Sequence, residues 1–345
     1  MHAAHAQVMS AAEVSVAIRL PGSTRRTVRE ALADGSLTKT FGPRGTLHLV
    51  PTRDLALWVG ALGNVPRSAR SFPADIRLTE AQAAEVVAAV GETLLEGQLT
   101  ADELDAEVVA RTGSWAGDLV MPAFQGFWPR WRQAVARCAH EGVLVFGVDR
   151  GRKVTYTNPR LRDPAFAPAP PEVAEPWFVA GYLHAYGPAT PADLARWNAA
   201  PLSWARALLD AATTQDVDVD RGRALVNAGD TAAEPLGRSV RLLPYFDALG
   251  VGFAPREEMF PGRAWARALA RTQAGNYPVL LVDGVVRGVW HQRRSGRRIE
   301  VTVETWADLG PSRLRALEAQ VARLGEVLEG APRLTLGEVT VGPHA

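Results

Sequence analysis

Residues 24–51 read TRRTVREALADGSLTKTFGPRGTLHLVP, and the order of signals along this stretch decides the fold class. A helix is predicted over TRRTVREALADG, closed by Gly35, because glycine tolerates the left-handed backbone that ends helices. Two short β-rich pieces follow, LTKTF and TLHLVP, on either side of the turn Gly42-Pro43-Arg44-Gly45. Upstream, residues 2–20 read as an amphipathic helix stopped by Pro21-Gly22. Helix, helix, strand, turn, strand is the order of a winged helix, a module that mostly docks on DNA.

The pattern returns downstream. LTEAQAAEVVAAVGETLLEG, TADELDAEVVART and WRQAVARCAHEGV read as helices, and VLVFGVDRGRKVTYTN reads as a hairpin with Asp149 to Arg152 at its tip. A Pro- and Ala-rich stretch from Asp163 to Pro176 reads as a linker. In YLHAYGPATPADLARW, Thr190 is placed as a helix N-cap, Pro191 at the first helical position and Asp193 in the first turn, with LSWARALLDAA as a following recognition helix. From Val240 the chain turns β-rich around Asp283-Gly284 and Ser295-Gly296, and ARLGEVLEG closes it as a helix. The expected class is α+β, with winged helices over 1–75, 76–165 and 166–238 and a β-rich barrel over 239–345.

Hydrophobic residues at 47% and charged residues at 22% are globular values, so disordered and fibrous readings are excluded. No apolar run approaches the roughly 20 residues that cross a bilayer, and MHAAHAQVMS lacks the charged and apolar regions of a signal peptide. A cytoplasmic, nucleoid-associated monomer without membrane contact is expected. Cys138 is the only cysteine, which excludes an internal disulfide and a multi-cysteine zinc site; no metal or cofactor is expected.

The net charge of +1 does not itself advertise nucleic acid, so the distribution of cations has to carry that reading. Arginines cluster at the expected helices and hairpin tips: Arg25, Arg26 and Arg29; Arg130, Arg132 and Arg137; Arg150 and Arg152; Arg293, Arg294, Arg297 and Arg298. Any one group reads as a solvated face, whereas their recurrence at wings and helices favours a shared DNA track.

No GxSxG elbow, HExxH helix, phosphate-binding loop or CxxC pair is present. Lys39 and Lys153 are the only lysines, so Schiff-base chemistry would have to use one of them or the amino terminus, and a hydrolytic reaction is favoured. His5-Ala6-Gln7 is the informative short segment. Residues i and i+2 of a helix project about 200° apart, so the pair can line one cleft only where a helix begins or is distorted. By spacing and composition alone the pair reads as an ordinary surface histidine and glutamine.

Taken together, HAQVMSAAEVSVAIRL, TFGPRGTLHLVP, AYGPATPADLARW, RLLPYFDALGVGF and VLLVDGVVRGVW resemble, in the same order, segments of the bacterial AlkZ-type DNA glycosylases. The resemblance spans nearly the whole chain. It implies tandem winged helices with a C-terminal barrel that together form a concave surface for double-stranded DNA, and catalysis by His5 and Gln7. Crosslink enzymes of the family carry Gln-apolar-Gln in the first segment. His-apolar-Gln, the form here, is associated with self-resistance to trioxacarcin-like antibiotics that alkylate guanine at N7. The implied substrate is therefore DNA bearing a bulky N7-alkylguanine, with Arg44, His48 and Asp247 as further cleft candidates. Crosslinks, simple alkylpurines and non-catalytic transcriptional regulation are the competing readings.

Overall fold

The computed structural model describes residues 1–66, 72–123, 126–232, 237–269, 273 and 275–342. The architecture is mixed α/β. By its contacts the chain divides into two compact units, the first made of Met1–Asp34, Tyr182–Asp193 and Thr214–Ala345, the second of Gly35–Gly181 and Leu194–Thr213. The stretch that decides the fold class is divided between them: helix α2 (Arg25–Ala33) lies in the first unit, and the hairpin Leu37–Phe41/Leu47–Pro51 in the second.

The first unit is built on a five-stranded sheet in the order Val240–Leu243, Val279–Val282, Val285–Ser295, Arg298–Thr305 and Ala331–Leu336. Side chains alternate across a strand, and the sequence supplies two apolar faces. Leu280, Val282, Trp290, Ile299, Val301 and Val303 are buried on one face with Val14 and Ala17 of helix α1 (Met9–Ala17) and Leu317, Val321 and Leu324 of the helix Gly310–Leu328. Val279, Leu281, Val286 and Val289 are buried on the other, under the short helices Arg256–Met259 and Arg263–Ala268. The last strand runs parallel to Arg298–Thr305, as a helical crossover between two strands allows.

Helix α1 is buried nearly all round, including Glu13 and Ser15. Burial obliges both polar groups to find partners. Glu13 takes a forked bond from Arg29 of α2, at 2.7 and 2.9 Å. Arg323 donates from the Gly310–Leu328 helix to the carbonyls of Ala17, Leu20 and Ser23, closing acceptors that a helix C-terminus leaves open.

The second unit holds a core of Val86, Val90, Leu94, Leu104, Val108, Trp131, Cys138 and Leu144. Burial pushes the Cys138 thiol up, so it is inert at neutral pH. Helices Glu80–Glu96 and Ala101–Thr112 open on Thr79 and Thr100, each in a capping box with the residue three positions on. An aromatic group of Trp58, Trp177, Phe178 and Trp197, with ring centroids 5.3–6.5 Å apart, fills the same unit.

Three expectations are revised. Residues 2–20 are not one helix: Ala4–His5 is a strand, the chain bends at Gln7–Val8, and α1 begins at Met9. The expected linker contains the start of a helix, Pro171–Tyr186. Pro171 leads it and Pro176 falls in its second turn, where a missing N–H costs one hydrogen bond to residue i−4. Of RLLPYFDALGVGF only Arg241, Leu242 and Leu243 are strand, since Asp247 caps a short helix, Ala248–Gly252.

Candidate active site

His5 ends the short N-terminal strand and is buried, Ala6 is fully buried, and Gln7 is exposed at the bend that precedes α1. This extended start removes the 200° separation a helix would impose on the pair. The imidazole of His5 stacks on Phe246, with ring centroids 5.0 Å apart and planes inclined by 26°. A buried aromatic stack of this kind fixes ring orientation.

Phe246 stands in the left-handed region, at φ 48°, a conformation a bulky residue adopts only when its surroundings impose it. Asp247 supplies that constraint. Its Oδ2 accepts from Ser15 Oγ at 2.7 Å and from Arg19 Nη1 at 2.8 Å; its Oδ1 accepts from Arg19 Nη2 at 2.7 Å and from the Leu249 N–H at 3.0 Å. Arg19 Nη1 also reaches the Ser15 carbonyl. The carboxylate thus ties the Phe246 turn to α1, the helix that the His5–Gln7 segment leads into. Asp247 is buried and its oxygens are occupied, so its chemistry here is positional.

Arg44 and His48 lie in the second unit. Arg44, at φ 61° in the hairpin turn, donates to the Trp197 carbonyl at 2.5 Å. His48 is buried, its Nδ1 lies 3.0 Å from the Thr46 carbonyl oxygen, and its ring covers Gly42 so closely that a Cβ there would lie 2.4 Å from Nδ1. Both brace the hairpin.

The arginine groups separate by their partners. Arg25 and Arg26 bind Glu329; Arg130 binds Asp118 and the Ile76 carbonyl; Arg132 forks onto Asp105; Arg137 binds Glu80 and Glu141; Arg150 binds Glu103 and the Gln98 carbonyl. In each, a carboxylate already offsets the charge that the guanidinium could offer a phosphate. Arg152 is exposed on the loop between Val145–Phe146 and Thr155–Thr157. Arg293, Arg297 and Arg298 are exposed around the turn of the longest hairpin, while Arg294 beside them is anchored to the Leu328 carbonyl at 2.7 Å.

Sequence reasoning missed Phe246, Arg19 and Ser15. Phe246 and Asp247 sit over 200 positions from their partners, and nothing local marks that pairing. Among the described residues, no three of His, Cys, Asp and Glu converge as a metal site, and no helix is long and apolar enough to cross a membrane.

The family model described as DNA glycosylase AlkZ-like matches residues 1–327. An interstrand DNA cross-link repair glycosylase of Streptomyces sahachiroi is 30% identical over 343 residues, which cover 95% of this chain and 89% of that protein. The solved structure of the Streptomyces sahachiroi DNA glycosylase AlkZ matches with a TM-score of 0.80 at 27% identity, over 97% of this chain and 91% of the other. A whole-chain match in sequence and in fold leads to one conclusion: this protein belongs to the family of AlkZ-like DNA glycosylases and is a DNA repair enzyme that cleaves N-glycosyl bonds.

Proposed function

We propose that the chain is a monofunctional glycosylase that excises bulky N7-alkylguanine adducts from double-stranded DNA, protecting its host from a DNA-alkylating antibiotic. The observation that carries this reading is the buried, ring-stacked His5 two residues before an exposed Gln7. Alkylation at N7 makes guanine cationic and a good leaving group, so little acid catalysis is needed. As the bond from C1′ to the base breaks, the bonding electrons leave with the base and neutralise its charge. Positive charge develops on the sugar, water adds to C1′, and the water's proton passes to His5 or to solvent. These are tasks of orientation and electrostatics. Gln7 orients the water or sugar, and His5, held in one orientation by Phe246, accepts the proton or a hydrogen bond. The exposed arginines Arg152, Arg293, Arg297 and Arg298 contact phosphates, and the winged-helix and barrel hairpins that carry them bind DNA as part of a monomer.

A second reading keeps the chemistry and changes the lesion to an interstrand crosslink, favoured by the cross-link repair activity of the Streptomyces sahachiroi relative. The test offers purified protein two duplexes, one with a bulky N7-guanine monoadduct and one with an N7-linked interstrand crosslink, and follows released base by mass spectrometry. Release from the monoadduct by wild type but not by Gln7→Ala is expected, with an intact abasic strand. Release from the crosslink alone moves the substrate to the second reading. Release by Gln7→Ala at the wild-type rate overturns the catalytic assignment.

A further inference from the structure

Beside the His5–Gln7 segment the first unit contains a hollow of about 240 Å³, walled by Val8, Ser10 and Ala11 at the start of α1, by Tyr245, and by Trp290 and His291 of the central hairpin. It adjoins the proposed catalytic residues on two sides. Val8 follows Gln7 in the chain, and Tyr245 precedes the Phe246 ring that stacks on His5.

Its third wall leads to the cations. His291 and Gln292 run into Arg293 on the same strand. A strand rises about 3.4 Å per residue, so the exposed Arg293 stands roughly 7 Å along from His291, within a nucleotide's length of the hollow.

The lining is mostly apolar, with Ser10, His291 and Gln292 as its polar members, and is suited to a neutral, flat group. Val8 and Ala11 are aliphatic, and Tyr245 and Trp290 are aromatic. The Trp290 N–H is already donated to the Leu243 carbonyl at 2.9 Å. Burial holds His291 below the usual histidine value, so it is uncharged at neutral pH. An apolar cavity of about 150 Å³ accepts benzene, and by that measure the hollow accepts two fused rings.

We propose that this hollow receives the aromatic substituent carried by the alkylated base, up to two fused rings, while His5 and Gln7 act on the glycosidic bond. The inference rests on the glycosylase reading of those two residues. It makes the hollow a selector of lesion size, and Ser10, exposed at its edge, a residue that sets the limit.

The test uses duplexes in which one guanine carries either N7-methyl or N7-naphthylmethyl on a 2′-fluoro sugar that resists hydrolysis, so that affinity is read without catalysis. Wild type, Ser10→Trp and Gln292→Trp are compared, one variant filling the hollow from the helix and the other from the strand. The naphthylmethyl-over-methyl preference in Kd is expected to fall about tenfold or more in both variants. A preference that stays within twofold of wild type in correctly folded variants overturns the proposal. Release rates on the matching hydrolysable duplexes are measured alongside. If wild type releases neither base but the affinity preference falls as expected, the binding hollow stands and the reading of N7-alkylguanine as the hydrolysed substrate fails instead.

Discussion

At the scale of single residues, the geometry separates the proposed catalytic pair from the groups that hold it in place. Gln7 is exposed and His5 is buried against Phe246. Truncating either to alanine is expected to slow single-turnover excision by about 10²-fold or more, the range of positioned acid–base groups, while DNA affinity changes by less than about threefold because phosphate contacts are made elsewhere. A loss of affinity matching the loss of rate would make them binding residues only. Asp247 belongs to the second class. Asp247→Asn replaces one acceptor with a donor that faces the Arg19 guanidinium, and breaking a buried pair of this kind costs about 3 kcal/mol. Urea unfolding checks the stability, and the pH profile of excision checks the positioning. A structural role alone lowers stability and leaves the profile of the folded fraction unmoved, whereas loss of the Phe246 stack shifts it.

At the scale of elements, sequence patterning found those whose cause is local. The capping signals at Thr190 and Asp193 hold: the Thr190 N–H and hydroxyl both bond Asp193 Oδ2, at 2.9 and 2.7 Å, at the start of the helix Pro191–Asn198. The Asp283-Gly284 turn falls where its composition placed it, and the second lies one residue further on, at Gly296-Arg297. The extended His5 segment was not legible, because an alanine-rich stretch favours helix and only packing against the sheet decides where α1 begins. The strand Ala331–Leu336 was likewise hidden, since it is defined by pairing with Arg298–Thr305. Glu304, on that paired strand, shows what such long-range placement brings together. Burial pushes its carboxyl up, but bonds from the Trp306 indole, Arg267 and the Val339 N–H outweigh this and hold it below the usual glutamate value. A depressed carboxyl stabilises the fold above its unfolded value and loses that contribution as pH falls through the folded one. Glu304→Gln sets an amide donor against either the Trp306 indole N–H or the Arg267 and Val339 donors, so it should cost about 3 kcal/mol at neutral pH. In thermal melts the gap to wild type should close as pH drops below about 4.5. A gap that stays constant down to pH 3 would show that the carboxylate's charge contributes nothing.

For the whole molecule, the low net charge of +1 and the many internal arginine–carboxylate pairs argue for local rather than diffuse attraction to DNA. Sequence-independent affinity grows with each phosphate neutralised, and the slope of log K against log salt changes by about 0.9 per contact. Guanidinium groups held by carboxylates, such as Arg132 on Asp105, release no counterions unless that pair opens. Among the described residues, no carboxylate holds the exposed Arg293, Arg297 or Arg298. Replacing all three by alanine should therefore flatten the salt slope for undamaged duplex by about 2.7 if each meets one phosphate, and the affinity loss should shrink as salt rises. Arg132→Ala should leave the slope unchanged and lower stability instead. Fluorescence anisotropy between 50 and 300 mM salt, roughly the range over which Debye screening matters most, reads both slopes. The reverse pattern, a flattened slope for Arg132→Ala and an unchanged one for the hairpin triple variant, would move the phosphate track into the second unit and remove the cationic flank from the hollow beside Gln7.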